Sequence, residues 1–174
     1  MPVTVNGGMS MTSWFDMADI PVLAETADDE ASMEAYGLKV LNGLIDEQVA
    51  AGIEPSRIVV GGFSQGGCTA LLCSLRRQET LAGVLSISGW LPSYVATEEA
   101  IRAGANGTAR PPVAWGHGEA DPTVTFARAQ PNAEALKAAG LDVQFQGYPN
   151  VGHDCTSQEL DWAMDTVAQW LPPQ

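Results

Sequence analysis

Few residues in this 174-residue chain have the types and spacing to do chemistry. The first set is Gly62-Phe63-Ser64-Gln65-Gly66, a G-x-S-x-G run between a β-branched apolar segment and a helical one. In that setting the two glycines permit a sharp strand-to-helix turn with close backbone approach. The turn lifts the Ser64 hydroxyl to a helix N-terminus, where partial positive charge favours a developing oxyanion. A serine nucleophile needs a base, and the chain has two histidines, His117 and His153. His153 falls in a loop after an apolar run and before the last helical pattern. Asp121 falls in Gly116-His117-Gly118-Glu119-Ala120-Asp121-Pro122, the loop after another apolar run. Ser64, Asp121 and His153 thus run in the order nucleophile, acid, base. His153 would take the Ser64 proton. Asp121 would fix the imidazole tautomer and stabilise its cation.

Each of these residues also has a plainer reading. Ser64 could be a helix N-cap, Asp121 a turn starter before Pro122, and His153 an exposed loop residue. Glu119 and Asp154 compete for the acid role. Glu119 is nearer its strand, and Asp154 adjoins the histidine on the wrong side. His117 precedes the acid at a strand end and reads as structural. Cys155 follows the base by two residues without a turn motif of its own, so it reads as a buried or spectator thiol.

The elements that must position these residues are legible from periodicity. Residues 1–28 read as irregular and mostly extended. From Asp29 to Ala51 the apolar residues Met33, Tyr36, Val40, Leu41, Leu44, Ile45 and Val49 recur at helical spacing, and Gly52 sits where a C-cap belongs. Strands are expected at 57–61, 83–87, 112–116 and 141–145. Helices are expected at 65–77, about 124–139, and 158–171. Strands alternating with helices predict an α/β fold, a mostly parallel sheet flanked by helices within a single domain over 1–174. In such sheets the chemistry sits beyond the strands' C-terminal ends.

Composition narrows the function. Apolar residues make up 45% of the chain, enough for a packed core. Eight Lys+Arg stand against 21 Asp+Glu, a net charge of −13. That balance argues against nucleic acid and against anionic membrane surfaces as partners. Cys68, Cys73 and Cys155 lack C-x-x-C spacing and fit free thiols in a reducing compartment. No apolar run is long enough for an integral membrane segment, and the first residues lack the pattern of a signal peptide. Asn106-Gly107-Thr108 is a glycosylation sequon that matters only in a secreted chain.

Gly61-Gly62-Phe63-Ser64-Gln65-Gly66-Gly67 resembles the nucleophile motif of the acyl-protein thioesterase, lysophospholipase and carboxylesterase family. Pro2-Val3-Thr4-Val5-Asn6, Ser13-Trp14-Phe15-Asp16, Ser88-Gly89-Trp90-Leu91-Pro92, His117-Gly118 through Asp121-Pro122, and Gly152-His153 resemble it too. The resemblance implies an α/β-hydrolase that cleaves acyl thioesters or carboxylic esters without metal or cofactor. Its substrate would be an acylated protein, a lysophospholipid or a small ester. Ser64, Asp121 and His153 match the triad, and Gln65 supplies one oxyanion N–H. Trp90 and Leu91 resemble part of the acyl-binding wall, though such residues serve equally as core. With the free thiols, the resemblance makes the cytoplasm the expected location. It also implies an N-terminally truncated hydrolase. Members of this family carry further strands, and a His-Gly loop with the second oxyanion donor, before the segment matched by Pro2-Val3-Thr4. The expectation is an open edge at the nucleophile strand, able to pair with a second copy, or a catalytically impaired fragment acting as a binding module.

Overall fold

Four short runs rich in Val, Ile, Leu and Gly pair side by side in the computed structural model, which describes residues 1–103 and 109–172. The strands β3 (Val59–Phe63), β4 (Gly83–Ile87), β5 (Val113–Gly118) and β6 (Val143–Tyr148) form one parallel sheet in that order. The segments β1 (Pro2–Val3) and β2 (Met9–Ser10) precede them as a small antiparallel hairpin. Residues 1–28 therefore contain a hairpin where an irregular entry was expected. The Asn106-Gly107-Thr108 sequon lies outside the described residues.

Asp29 caps the first helical stretch by accepting a bond from the Ser32 N–H at 3.2 Å. The helix expected over 29–51 is three pieces: α1 (Glu30–Ser32), a π-helical stretch at Met33–Leu38, and α2 (Lys39–Ala50). The wider π turn rotates the apolar stripe. Met33, Leu38 and Ile45 are buried, while Tyr36, Val40 and Leu44 stay about half exposed.

From β3 onward the chain adds strands in one direction, with helices α3 (Gln65–Arg76), α4 (Glu98–Ala103), α5 (Phe126–Ala138) and α6 (Ser157–Trp170) between and after them. Right-handed crossovers made in one direction put their helices on one face of a sheet. Helix α3 packs there on β3 and β4, and α5 on β5 and β6. Helix α6 covers the opposite face, where the Trp170 ring lies against Gly83 and the Trp162 ring against Gly116. The α4 turn has no counterpart in the expected elements. Strand β6 starts two residues late for a local reason. Gly140 adopts φ 96°. The Leu141 N–H returns to the Leu136 carbonyl at 3.1 Å, which binds Leu141 into the end of α5.

Strand β3 is an edge of the sheet. The Ile58 carbonyl and the Ser64 N–H both bond across to the β4 side at 2.9 Å. By alternation along a parallel strand, Val59, Gly61 and Phe63 turn their backbone groups outward. Among the described residues no strand pairs with that outer side.

Candidate active site

The turn from β3 into α3 forces Ser64 to φ 54° and ψ −119°, a region a side-chain-bearing residue occupies only when its surroundings hold it there. Gly62 makes this possible. A Cβ at that position would run into the backbone of Gly66, with the Gly66 carbonyl oxygen only 2.6 Å away. The Ser64 side chain makes no capping bond to its own helix. It points instead to His153, whose Nε2 lies 3.0 Å from Ser64 Oγ. His153 Nδ1 lies 2.8 Å from Asp121 Oδ2. The three residues come from the loops after β3, β5 and β6, at one end of the sheet. Phe63 packs beside the imidazole, ring centroids 4.7 Å apart.

The Asp121 side chain is fully buried. Burial alone would raise its carboxyl. The hydrogen bond from His153, the N–H groups of Val124 and Thr123, and the charge of the imidazole outweigh it, so the carboxyl sits below its usual range. Both N–H bonds fall on Oδ1, at 2.8 Å from Thr123 and 2.9 Å from Val124, leaving Oδ2 for the imidazole. His117 is buried behind this loop. Its Nε2 lies 2.8 Å from the Val124 carbonyl and 3.5 Å from Asp121 Oδ2. Burial holds its imidazole below the ordinary value, against the raising effect of that carbonyl and of Asp121. A neutral His117 donates to the Val124 carbonyl and so braces the loop that carries Asp121.

Glu119 and Asp154 make no bond to His153. Glu119 Oε1 lies over Gly147, and Asp154 accepts from the Cys155 N–H at 2.7 Å. Burial, then Glu159 and Asp154, push the Cys155 thiol up, which leaves it a poor nucleophile.

Gln65 opens α3, so its backbone N–H is one of the first-turn donors that have no acceptor within the helix. Its side chain has a separate role. The Gln65 carbonyl accepts from Ser13 Oγ at 3.0 Å and the Trp14 N–H at 3.3 Å, and its amide donates to the Phe15 carbonyl at 3.2 Å. These bonds fasten residues 13–15 over the turn at Ser64. Beside them a cavity of about 410 Å³ opens onto Ser64 and His153, walled by Val5, Met11, Trp14, Met17, Ile20 and Val124. That size suits a small organic ligand, and the wall is mostly apolar, with Asn6, Thr12 and Thr123 among its polar members.

Trp90 and Leu91 do not border this cavity. They are 1% and 0% exposed. The Trp90 Nε1–H donates to Asp28 Oδ1 at 2.7 Å, and the Leu91 N–H to Asn132 Oδ1 at 3.2 Å. The turn after β4 folds both side chains inward, with Trp90 edge-on to Phe15. The cavity's apolar side chains come mostly from the stretch before α1, with Val124 from the loop after β5. There Met17 and Ile20 sit among polar residues without periodicity, and nothing in the sequence singled them out.

Among the described residues, no group of three or more His, Cys, Asp or Glu side chains is arranged to hold a metal ion, and no helix is long and apolar enough to cross a membrane.

Comparison with known proteins agrees with this architecture. The chain is 36% identical to acyl-protein thioesterase 1 of Gibberella zeae over 178 residues, covering 100% of this chain and 74% of that protein. It is 35% identical to a probable SOBER1-like carboxylesterase of Arabidopsis thaliana, covering 98% of this chain and 62% of that protein. The crystal structure of Arabidopsis thaliana SOBER1 superposes with a TM-score of 0.89 at 33% identity, over 98% of this chain and 79% of that one. The chain thus spans about two thirds of the length of the curated relatives it matches. Residues 1–171 match one family along their whole run, and the chain belongs to the phospholipase/carboxylesterase family of α/β-hydrolases.

Proposed function

We propose that this chain is a serine hydrolase that cleaves acyl thioesters or carboxylic esters through an acyl-enzyme. One observation carries the reading: the continuous line from Ser64 Oγ through His153 to Asp121, with heavy-atom separations of 3.0 and 2.8 Å. His153 accepts the Ser64 proton at Nε2 as Oγ attacks the acyl carbon. Asp121 holds the other ring proton at Nδ1 and stabilises the imidazolium. The oxyanion forms at the start of α3, beside the Gln65 N–H. The imidazolium returns its proton to the leaving thiol or alcohol. Water, deprotonated by His153, then releases the acid and restores Ser64. The apolar wall of Met11, Trp14, Met17 and Ile20 fits an acyl chain better than a polar leaving group.

The test is labelling by a fluorophosphonate, followed by turnover of an ester and thioester series of increasing chain length. The expected result is one label per chain, lost in Ser64→Ala, and turnover that follows labelling. A chain that folds but takes no label at Ser64 would refute the reading. One observation favours a second reading, a binding module of impaired activity: among the described residues no strand pairs with the outer side of β3. Binding of acyl ligands without labelling would support it.

A further inference from the structure

We propose that Arg128 is a positioning residue for the acid Asp121, acting through residues 22–28 without touching the triad; this rests on the serine-hydrolase reading above.

The acid loop is held from two sides. Inside, Asp121 Oδ1 accepts from Thr123 and Val124. Outside, the same residues are stitched to a distant segment. Val22 and Val124 form a parallel bridge, both almost wholly buried. The Val22 N–H donates to the Thr123 carbonyl at 2.7 Å, and the Val22 carbonyl accepts from the Thr125 N–H at 3.1 Å. Thr123 and Val124 therefore cannot shift without moving Val22. The N–H groups that aim the Asp121 carboxylate are as well placed as that strap allows.

The strap is fastened by a buried ion pair. Arg128 and Asp28 are each 4% exposed and pair at 2.7 Å. Arg128 Nη1 donates to the Ala24 carbonyl at 2.7 Å, and Nη2 also reaches the Leu91 carbonyl at 3.3 Å. The carboxylate of Asp28 accepts from Trp90 Nε1 and from the Ser93 N–H, both at 2.7 Å. One guanidinium thus joins α5 to both ends of residues 24–28 and to the turn after β4. Only a planar fork of several donors can satisfy these acceptors at once. Upstream, the same strap supplies Met17 and Ile20 to the cavity. The pair therefore sets the acid loop and part of the wall together, from a buried site outside the cavity.

The experiment replaces the pair without leaving a lone buried charge. In the double variant Asp28→Asn with Arg128→Met both charges go, so neither is stranded. Arg128→Lys keeps the charge opposite Asp28 but cannot also reach the Ala24 and Leu91 carbonyls, and it serves if the double variant does not fold. Three readouts are taken on folded protein: the fluorophosphonate acylation rate, its pH profile, and the low-field proton resonance of the His153–Asp121 hydrogen bond. The expected result is an acylation rate lower by about 10–100-fold, the cost of a small misplacement at a reacting site. The acid limb of the pH profile should change as His153 loses its aligned carboxylate, and the low-field resonance should shift or broaden. Arg128→Lys should fall between. A variant that melts earlier but keeps the rate within about twofold, with limb and resonance unmoved, would show a purely structural pair and overturn the proposal. Absence of labelling in the unaltered protein would instead overturn the hydrolase reading, and this proposal with it.

Discussion

Asp121→Asn follows from the division of labour between the two carboxylate oxygens. Oδ1 accepts two backbone N–H groups, and Oδ2 faces His153 Nδ1 at 2.8 Å. An asparagine side chain has one acceptor end and one donor end. The two fixed N–H donors select its oxygen at the Oδ1 position. Reversing the amide would leave those buried donors unsatisfied, at about 1–3 kcal/mol each. The amide NH2 therefore falls opposite His153 Nδ1. Two donors cannot face each other, so the imidazole turns its lone pair to Nδ1 and its proton to Nε2. Nε2 then presents a proton to Ser64 Oγ where it must accept one. We expect acylation to slow by about 10⁴-fold, as loss of the correct tautomer does in serine triads. At about 1.4 kcal/mol per tenfold this is about 5.5 kcal/mol of barrier. The assay is the fluorophosphonate labelling rate at neutral pH, with a thermal melt to show that the fold persists. A loss of less than about tenfold in a folded variant would refute the assignment of Oδ1 and Oδ2.

Leu91→Ala should lower stability by about 2–5 kcal/mol, the range for emptying a core site, and leave the acyl-chain profile unchanged in a turnover series. Ile20→Ala should do the reverse, raising KM for long-chain esters by about fivefold through about 1 kcal/mol of lost apolar contact. A profile that moves with Leu91 and ignores Ile20 would put the wall elsewhere. Acidification gives a further check. The fold holds the Asp121 carboxyl below its usual range, so its ionisation stabilises the protein above the unfolded value of about 4. That contribution is lost as pH falls through the lower folded value. Urea melts from pH 7 to 3 should therefore fall more steeply for the unaltered protein than for Asp121→Asn, and equal slopes would contradict the shift.

The line from Ser64 through His153 to Asp121 was legible as a candidate site because each member announces itself locally. Ser64 stands in a glycine turn that needs a strand before it and a helix after it. Asp121 and His153 each follow an apolar run, and a parallel sheet brings all such loops to one end. Trp90 and Leu91 were harder, because an apolar residue after a strand looks the same whether it faces a ligand or the core. Only their burial, with the Trp90 indole bonded to Asp28, places both in the core. The π turn at Met33–Leu38 was invisible for a related reason: the apolar spacing permits a continuous helix, and packing decided otherwise. The Schellman bond from Leu141 moved the start of β6 past a run whose composition already reads as strand. The Asp28–Arg128 pair could not have been read at all. Its members lie 100 residues apart and carry no motif.

The outward row of backbone groups on β3 has a consequence for how the molecule behaves in bulk. Such a row is a template for adding another strand, and what holds neighbouring molecules apart at a distance is their shared charge of −13. That repulsion reaches only as far as the ionic atmosphere allows, about 8 Å at physiological salt and about 3 Å at 1 M. Electrostatic repulsion between copies of this chain therefore weakens with added salt, and with mild acid as the carboxylates take up protons. Wherever that row stays open, dilute neutral buffer is the medium that keeps such edges apart.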